Sequence, residues 1–285
     1  MEIKLYQIWY RDEQESMLDP NFVPWDNRNN QRPEWCEYWV MRQAAQNFDE
    51  NFGDLTGFFS WKFHEKLNIN FSQIKGFIEA YPNGDCYVFS PAVFQAAFYL
   101  NTWQQGEEWH PGITRKTQIL LRNLGYHIDL QNAIDHHLTT AYCNYWIASR
   151  SFWKEYLKFM DGIFNYVESN QDNDQDGLWE LIYASNGGSR HTQLLPIIPY
   201  LVERLFSVFA KLHPEFNIIA WQFPLDAMQN RAQGAAGIIP MANWCKYMAA
   251  ETKDDKYLRL FSALQNEMQK ALKEAVARNE EFRMQ

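Results

Sequence analysis

The run Asp54-Leu-Thr-Gly-Phe-Phe-Ser-Trp-Lys-Phe63 constrains the fold more than any other ten residues of the chain. It is apolar and β-prone, and it stops abruptly in Ser60, Trp61 and Lys62, with a second lysine, Lys66, four places on. A strand of this kind belongs inside a sheet. In an open α/β sheet the carboxyl ends of the strands are where ligands dock. A lysine delivered to such an end by a buried strand is placed to meet a phosphate.

The rest of the chain supplies the partners such a sheet needs. Residues 3–10 alternate Ile3, Leu5 and Ile8 and predict a first strand. A polar loop follows, then a helix opened by Pro33 and running to about Asn47. A helix over about 71–81 is expected with Asn70 as its cap. Cys86 to Ser90 predicts a third strand, stopped by Pro91. Helical segments are expected over about 92–104 and 114–124, the second ended by Gly125. Thr139 to Ser149 is rich in β-formers and predicts a fourth strand. Ser151 should then cap a helix whose stripe is Phe152, Trp153, Tyr156, Met160, Ile163, Phe164 and Val167. Pro199 opens another helix, with Leu201, Val202, Leu205, Phe206 and Phe209 on one face, and a last helix carries Tyr257, Phe261, Leu264, Met268 and Leu272. Strands alternating with helices predict an α/β fold with a mostly parallel central sheet flanked by helices.

At 285 residues and 46% hydrophobic content the chain can bury a full core as one large domain, or as one domain with a helical appendage. Its 12 Trp, 15 Tyr and 20 Phe exceed what a core needs, leaving some for a ligand, since Trp and Tyr pair a flat apolar face with a polar edge. A net charge of −9 argues against nucleic acid, because no Lys/Arg stripe is present to neutralise a phosphate backbone. No apolar run reaches the roughly 18 residues of a membrane span, and the first residues alternate like a strand where a signal peptide would be continuously apolar. Cys36, Cys86, Cys143 and Cys245 are scattered without a C-x-x-C pair and predict reduced core residues in a cytoplasmic protein.

Six constellations could carry chemistry. The strand ends Gln7 to Tyr10, Ser60 to Lys62 and Ser90-Pro91 should gather at one edge. There Trp9 or Tyr10 would wall a base, and Lys62 would sit beside a diphosphate. Asn101 to Gly112 is read as a polar connector in which Glu107, Glu108 and His110 offer acid/base groups, with Trp109 as a stacking face and Pro111-Gly112 as the turn. Asn144, inside an expected strand, is costly unless hydrogen-bonded. It could bond sugar hydroxyls, with Tyr145 or Trp146 beside it. Asp172, Asp174 and Asp176 before Gly177 resemble the opening of a calcium loop, although its twelfth position is Tyr183 and lacks the bidentate acid. Glu203 and Arg204 lie off the apolar stripe of their helix, as surface charge or as a carboxylate at a cleft wall. The glycine loop Ser185 to His191, with Arg190, could close over a phosphate.

The order of "Gly-Phe-Phe-Ser-Trp-Lys-Phe" (57–63), "Asn-Tyr-Trp-Ile-Ala-Ser" (144–149), "Phe-Trp-Lys-Glu-Tyr" (152–156) and "Glu-Arg-Leu-Phe-Ser" (203–207) resembles the bacterial glycosyltransferases of capsule and lipopolysaccharide gene clusters. These have a GT-A-like fold, and the similarity covers most of residues 1–212. It implies transfer of a sugar from a nucleotide-sugar donor to a glycan acceptor in surface-polysaccharide synthesis, without a transmembrane segment and with peripheral membrane association left open. It implies one nucleotide-sugar-binding domain over 1–237 and a helical extension over 238–285 packed on it. By analogy Lys62 would lie near the donor phosphates and Glu203 with Arg204 on the acceptor side. Glu107 or Glu203 would be the base, His110 a further catalytic group, and Gln7, Trp9, Lys62 and Arg190 the donor site. Asn144, Tyr145 and Trp109 would touch sugar. The family usually ends a strand in Asp-x-Asp to hold a divalent ion; here the candidate strand ends in Phe89-Ser90-Pro91. A metal is therefore left open, held by Asp172, Asp174 and Asp176 or replaced by Lys62, Arg190 or His110, and lost activity is a third outcome. The alternatives are a carbohydrate-binding protein without catalysis, calcium-dependent through the 172–176 loop, and a glycoside hydrolase pairing Glu107 or Glu108 with Glu203.

Overall fold

The computed structural model describes residues 1–170, 197–224, 226–227 and 235–277, except for the side chains of 272 and 275–277. The expected metal ligands Asp172, Asp174 and Asp176, and Arg190 with its glycine loop, lie outside the described residues.

The described strands are β1 (Ile3–Trp9), β2 (Val23–Asp26), β3 (Leu55–Ser60), β4 (Cys86–Val88), β5 (Trp146–Ser149) and β6 (Ile218–Ala220). The described helices are α1 (Asp12–Glu15), α2 (Cys36–Ala44), α3 (Phe48–Asn51), α4 (Phe63–Leu67), α5 (Phe71–Ala80), α6 (Val93–Phe98), α7 (Thr102–Trp109), α8 (Ile113–Asn123), α9 (Arg150–Ser169), α10 (Ile198–Leu212), α11 (Ile238–Thr252) and α12 (Asp255–Ala277). The strands form one sheet in the order β2-β1-β3-β5-β4-β6. All neighbours are parallel except where β5 runs against β3 and β4. The fold is thus α/β, with a mostly parallel central sheet flanked by helices.

Period-two alternation divides the strands between two faces. Tyr6, Ile8, Phe58, Cys86, Val88, Trp146 and Ala148 face a core built with α2, α8, α9 and α10. Leu5, Phe59, Tyr87, Phe89, Tyr145 and Ile147 face a second core closed by α4 and α5. Trp146 and Trp153 lie 4.3 Å apart between ring centroids, and Trp153 Nε1 donates to Thr56 O at 2.9 Å, so the indole is buried with its polar handle satisfied. A third cluster joins α6 to α11 and α12 through Phe94, Phe98, Ile239, Phe261 and Met268.

Local chemistry places several ends where the sequence predicts them. Asn70 caps α5 in a reciprocal box with Gln73 (3.0 and 2.9 Å). Gly125, at φ 84°, follows α8 as its left-handed terminator. Elsewhere the structure corrects the expectation. The predicted helix over 92–104 is two helices, because the buried Asn101 takes an extended backbone and its Oδ1 accepts from Gln104 N at 2.6 Å to start α7. The polar connector 101–112 is therefore largely helix. The predicted fourth strand begins only at Trp146, since Tyr142–Asn144 is a tight turn in which Cys143 (φ 65°) and Asn144 (φ 52°) are both left-handed. Ser149 caps α9 where Ser151 was expected. The polar loop after β1 hides the short strand β2, and β6 carries no expectation at all.

Candidate functional site

In this sheet the chain leaves β1 to one side for β2, then returns across β1 to β3. The crevice between the carboxyl ends of β1 and β3 is the topological switch point, where open α/β sheets take ligands. Trp9, Ser60 and Val88 end their strands at this edge. Because β5 runs the other way, its amino end and the Tyr142–Asn144 turn reach the same edge. Tyr145 hydroxyl meets Ser60 Oγ at 2.5 Å, Tyr142 N donates to Ser90 Oγ at 3.3 Å, and Phe89 N donates to Tyr145 O at 2.7 Å. Three strand ends that are distant in sequence are thereby stitched together.

The charged heart of the edge lies over this stitch. The Cys143 amide donates to the Glu203 carboxylate, and Lys66 Nζ lies 3.2 Å from Cys143 Sγ. Two successive left-handed residues that are not glycine are strained, and strain of this kind clusters where it aims a group. Here it aims an amide at Glu203. Glu37, at the start of α2, joins the group. Burial raises its pKa, the charge of Glu203 adds to the rise, and Lys66 opposes it. Burial pulls Lys66 down, but Cys143, Glu203 and Glu37 outweigh it and leave the ammonium with a raised pKa. Cys143 is pushed up to about 12, first by burial and then by Glu203, so it is a thiol at neutral pH. Its neighbour in the cluster, Cys36, is raised by burial and by Glu37, and it too takes an unusual backbone (φ 44°).

His110 reaches this region from the end of α7. Its ring stacks on Tyr200 at 3.8 Å between centroids, and burial, with Arg204, lowers its pKa to about 4. It is neutral at pH 7. Tyr200 in turn feels Glu203 and Cys36.

The other predicted residues are placed as follows. Lys62 lies at the carboxyl end of β3, with Nζ 5.0 Å from the centroid of the Trp61 ring. Asn144 is 3% exposed and sits in the turn, not in a strand; among the described residues its Oδ1 has no hydrogen-bond partner. Tyr145 is buried beneath the cluster. Gln7 is fully buried and engaged at both ends, receiving Asp19 N at 2.7 Å and donating to Trp61 O at 3.3 Å. Trp9 is 4% exposed and covered by Arg28, 4.4 Å from its ring centroid, whereas Tyr10 is 47% exposed. Arg204 corrects the surface reading. It is 2% exposed and holds α7 to α10 by donating to Thr102 O (2.8 Å), Tyr200 O (2.7 Å) and Gln105.

Glu107 faces the opposite way. Its carboxylate accepts from Gly112 N (2.5 Å) and Thr114 N (3.1 Å), closing the amino end of α8. Glu108 accepts from the Tyr99 hydroxyl at 2.7 Å, and Trp109 is half-buried near it. The structure therefore brings Asn144, Tyr145 and Glu203 to one edge, with Lys62 at the neighbouring end of β3, seats His110 on Tyr200 of the helix that carries Glu203, and leaves Glu107 and Glu108 on the other face of α7. Lys66 and Glu37 join the edge as candidate residues the sequence did not assign. The i,i+4 spacing of Lys62 and Lys66 was a usable signal for the first; for Glu37 there was none.

Among the described residues no group of three His, Cys, Asp or Glu could hold a metal ion, and no helix is long and apolar enough to cross a membrane. No family model matches the sequence, and no curated protein matches it. Among solved structures, the apo structure of WbbM, a bifunctional glycosyltransferase, is similar at 16% identity with a TM-score of 0.46. The likeness covers 78% of this chain and 44% of that one, so this chain spans less than half of its length. A likeness of that size assigns neither a fold family nor an activity.

Proposed function

We propose that the protein is a glycosyltransferase that moves a sugar from a nucleotide-sugar donor to a glycan acceptor in bacterial surface-polysaccharide assembly. One observation carries the reading. Two carboxyl groups, Glu37 and Glu203, and the Lys66 ammonium share the switch-point edge, beside a strained turn that commits an amide to Glu203. A carboxyl group whose pKa burial raises, set beside a second carboxylate and an ammonium, marks an acid/base candidate. In the proposed reaction Glu203 takes the proton from the acceptor hydroxyl as its oxygen bonds to the donor sugar carbon. The bond from that carbon to the diphosphate oxygen breaks with its electron pair, and the departing charge meets Lys66 and Lys62. Neutral His110 can hydrogen-bond the acceptor without adding charge. The exposed Tyr10 ring, next to the covered Trp9, is the aromatic face for the base. The carboxyl end of β4 offers no carboxylate, and the described residues do not fit a divalent ion, so cationic side chains carry the leaving group in this scheme.

The test is a panel of UDP-, GDP-, CMP- and dTDP-sugars, with and without Mn²⁺, read by thermal shift and by release of free nucleotide. One nucleotide class should stabilise the fold, by about 2.7 kcal/mol at 100 times its Kd. E203Q should keep that stabilisation and lose turnover. No stabilisation by any of the four, or full turnover by E203Q, would overturn the proposal.

A further inference from the structure

Beyond α7, away from the sheet edge, a groove of about 1300 Å³ runs between α7, α8 and residues 124–132. It exceeds the roughly 300–1,000 Å³ of an ordinary small-molecule pocket and is sized for a chain of several units. Helix α7 separates it from the candidate site. The inner face of α7, Thr102, Gln105 and Gly106, holds Arg204, while Gln104, Glu107 and Glu108 line the groove.

The charges in the groove are unequal in their commitments. Its carboxylates are all occupied inside the protein: Glu107 by two backbone amides, Glu108 by Tyr99, and Asp129 by Asn132 and the Gln131 amide. Its guanidinium groups are not. Arg115 and Arg122 are exposed, and among the described residues neither makes an ion pair. They stand seven residues apart on one face of α8, two turns or roughly 10.5 Å along the axis, with Gln118 and Ile119 between them. His127 lines the facing wall. Among the described residues, a chain of net charge −9 thus keeps two arginines without an ion pair at one groove. Leu100, Ile119 and Ile128 add apolar surface, and Gln104 and Gln131 add amides. That mixture suits pyranose rings, which carry apolar faces and a rim of hydroxyls. The walls are helices and a loop with no strand edge to extend, which disfavours an extended peptide.

We infer that this groove binds an acidic saccharide, with Arg115 and Arg122 pairing its carboxylates two helical turns apart. The inference stands on the groove alone and does not need the sheet edge to be a donor site.

Calorimetric titration of the full chain with hexagalacturonate, maltohexaose and hexaglutamate, at low and at 300 mM salt, tests it. Hexagalacturonate should bind, weaken with salt, and lose at least tenfold in affinity in R115Q/R122Q, whose changed side chains lie on the surface. Maltohexaose should bind at least tenfold more weakly. K66A should leave uronate binding intact whatever it does to nucleotide sugars. Equal binding of maltohexaose, equal or tighter binding of hexaglutamate, an unaffected double variant, loss of uronate binding in K66A, or no uronate binding would each overturn the inference.

Discussion

The Cys143-Asn144 pair shows how backbone geometry carries chemistry at the level of single residues. Both positions are left-handed without being glycine, and the result is an amide delivered to Glu203 at the rim of the sheet. Glu203→Gln keeps an acceptor for that amide, so the fold should survive while transfer falls by about 10²–10⁴-fold, the usual worth of a general base; turnover at saturating donor checks it. Glu37 gives a pH prediction. Its folded pKa is raised, so the native state holds the proton more tightly than the unfolded chain, and stability falls as pH climbs from the ordinary glutamate value of about 4.3 towards the folded value. Glu37→Gln should raise the Tm at pH 7 and change little at pH 3, as melting curves at both would reveal; a loss of Tm at pH 7 contradicts it. The sequence carried only part of this. Strand ends can be read from where apolar runs stop, which places Ser60 and Lys62; Asn144, expected inside a strand, lies in the turn before one. Burial cannot be read that way: Gln7 and Arg204 are polar by type and interior by packing, each made tolerable by hydrogen bonds to partners far along the chain.

At the scale of elements, α7 is the hinge of the account, dividing the candidate site from the groove. It approaches α10 closely because Gly106 has no side chain; an added Cβ would sit 2.6 Å from Arg204 Nε. Gly106→Ala should cost about 1–3 kcal/mol in urea unfolding by displacing that guanidinium. A second junction ties α11 to α6 through Lys246, fully buried and donating to the carbonyls of Ala96 and, at 2.8 Å, Tyr99. Burial lowers its pKa to about 7, below the ordinary value of about 10.4. The unfolded chain therefore binds this proton more tightly, and the penalty lifts as pH rises from 7 to 10. Lys246→Met should lack that gain, so unfolding free energies of wild type and variant should diverge in the wild type's favour between pH 7 and 9.5. Parallel curves contradict the assignment. Elements with strong stripes, such as α9 and α10, were legible from periodicity. The break between α6 and α7 was not, because it depends on Asn101 choosing to cap a helix and to bond Leu130, Gln131 and Ala133 carbonyls thirty residues away.

For the molecule as a whole, the sheet order explains why segments so far apart share one rim. β1, β3 and β4 are apolar runs bounded by turn residues and could be placed from the sequence. β2 is a largely exposed edge strand containing Pro24, and β6 is a three-residue edge strand that is only partly buried, so neither shows a clear apolar run. The reversal of β5 depends on pairing across the sheet and has no local signal, yet it is what brings Asn144 and Tyr145 to the carboxyl rim. The central claim is that this rim grips an activated sugar. Hydrogen–deuterium exchange of the full chain, with and without the nucleotide sugar that stabilises it, tests that directly. Protection should concentrate in residues 8–10, 60–66 and 142–145, and should vanish in Lys66→Ala. Protection confined to 104–132, with the rim unchanged, would contradict it.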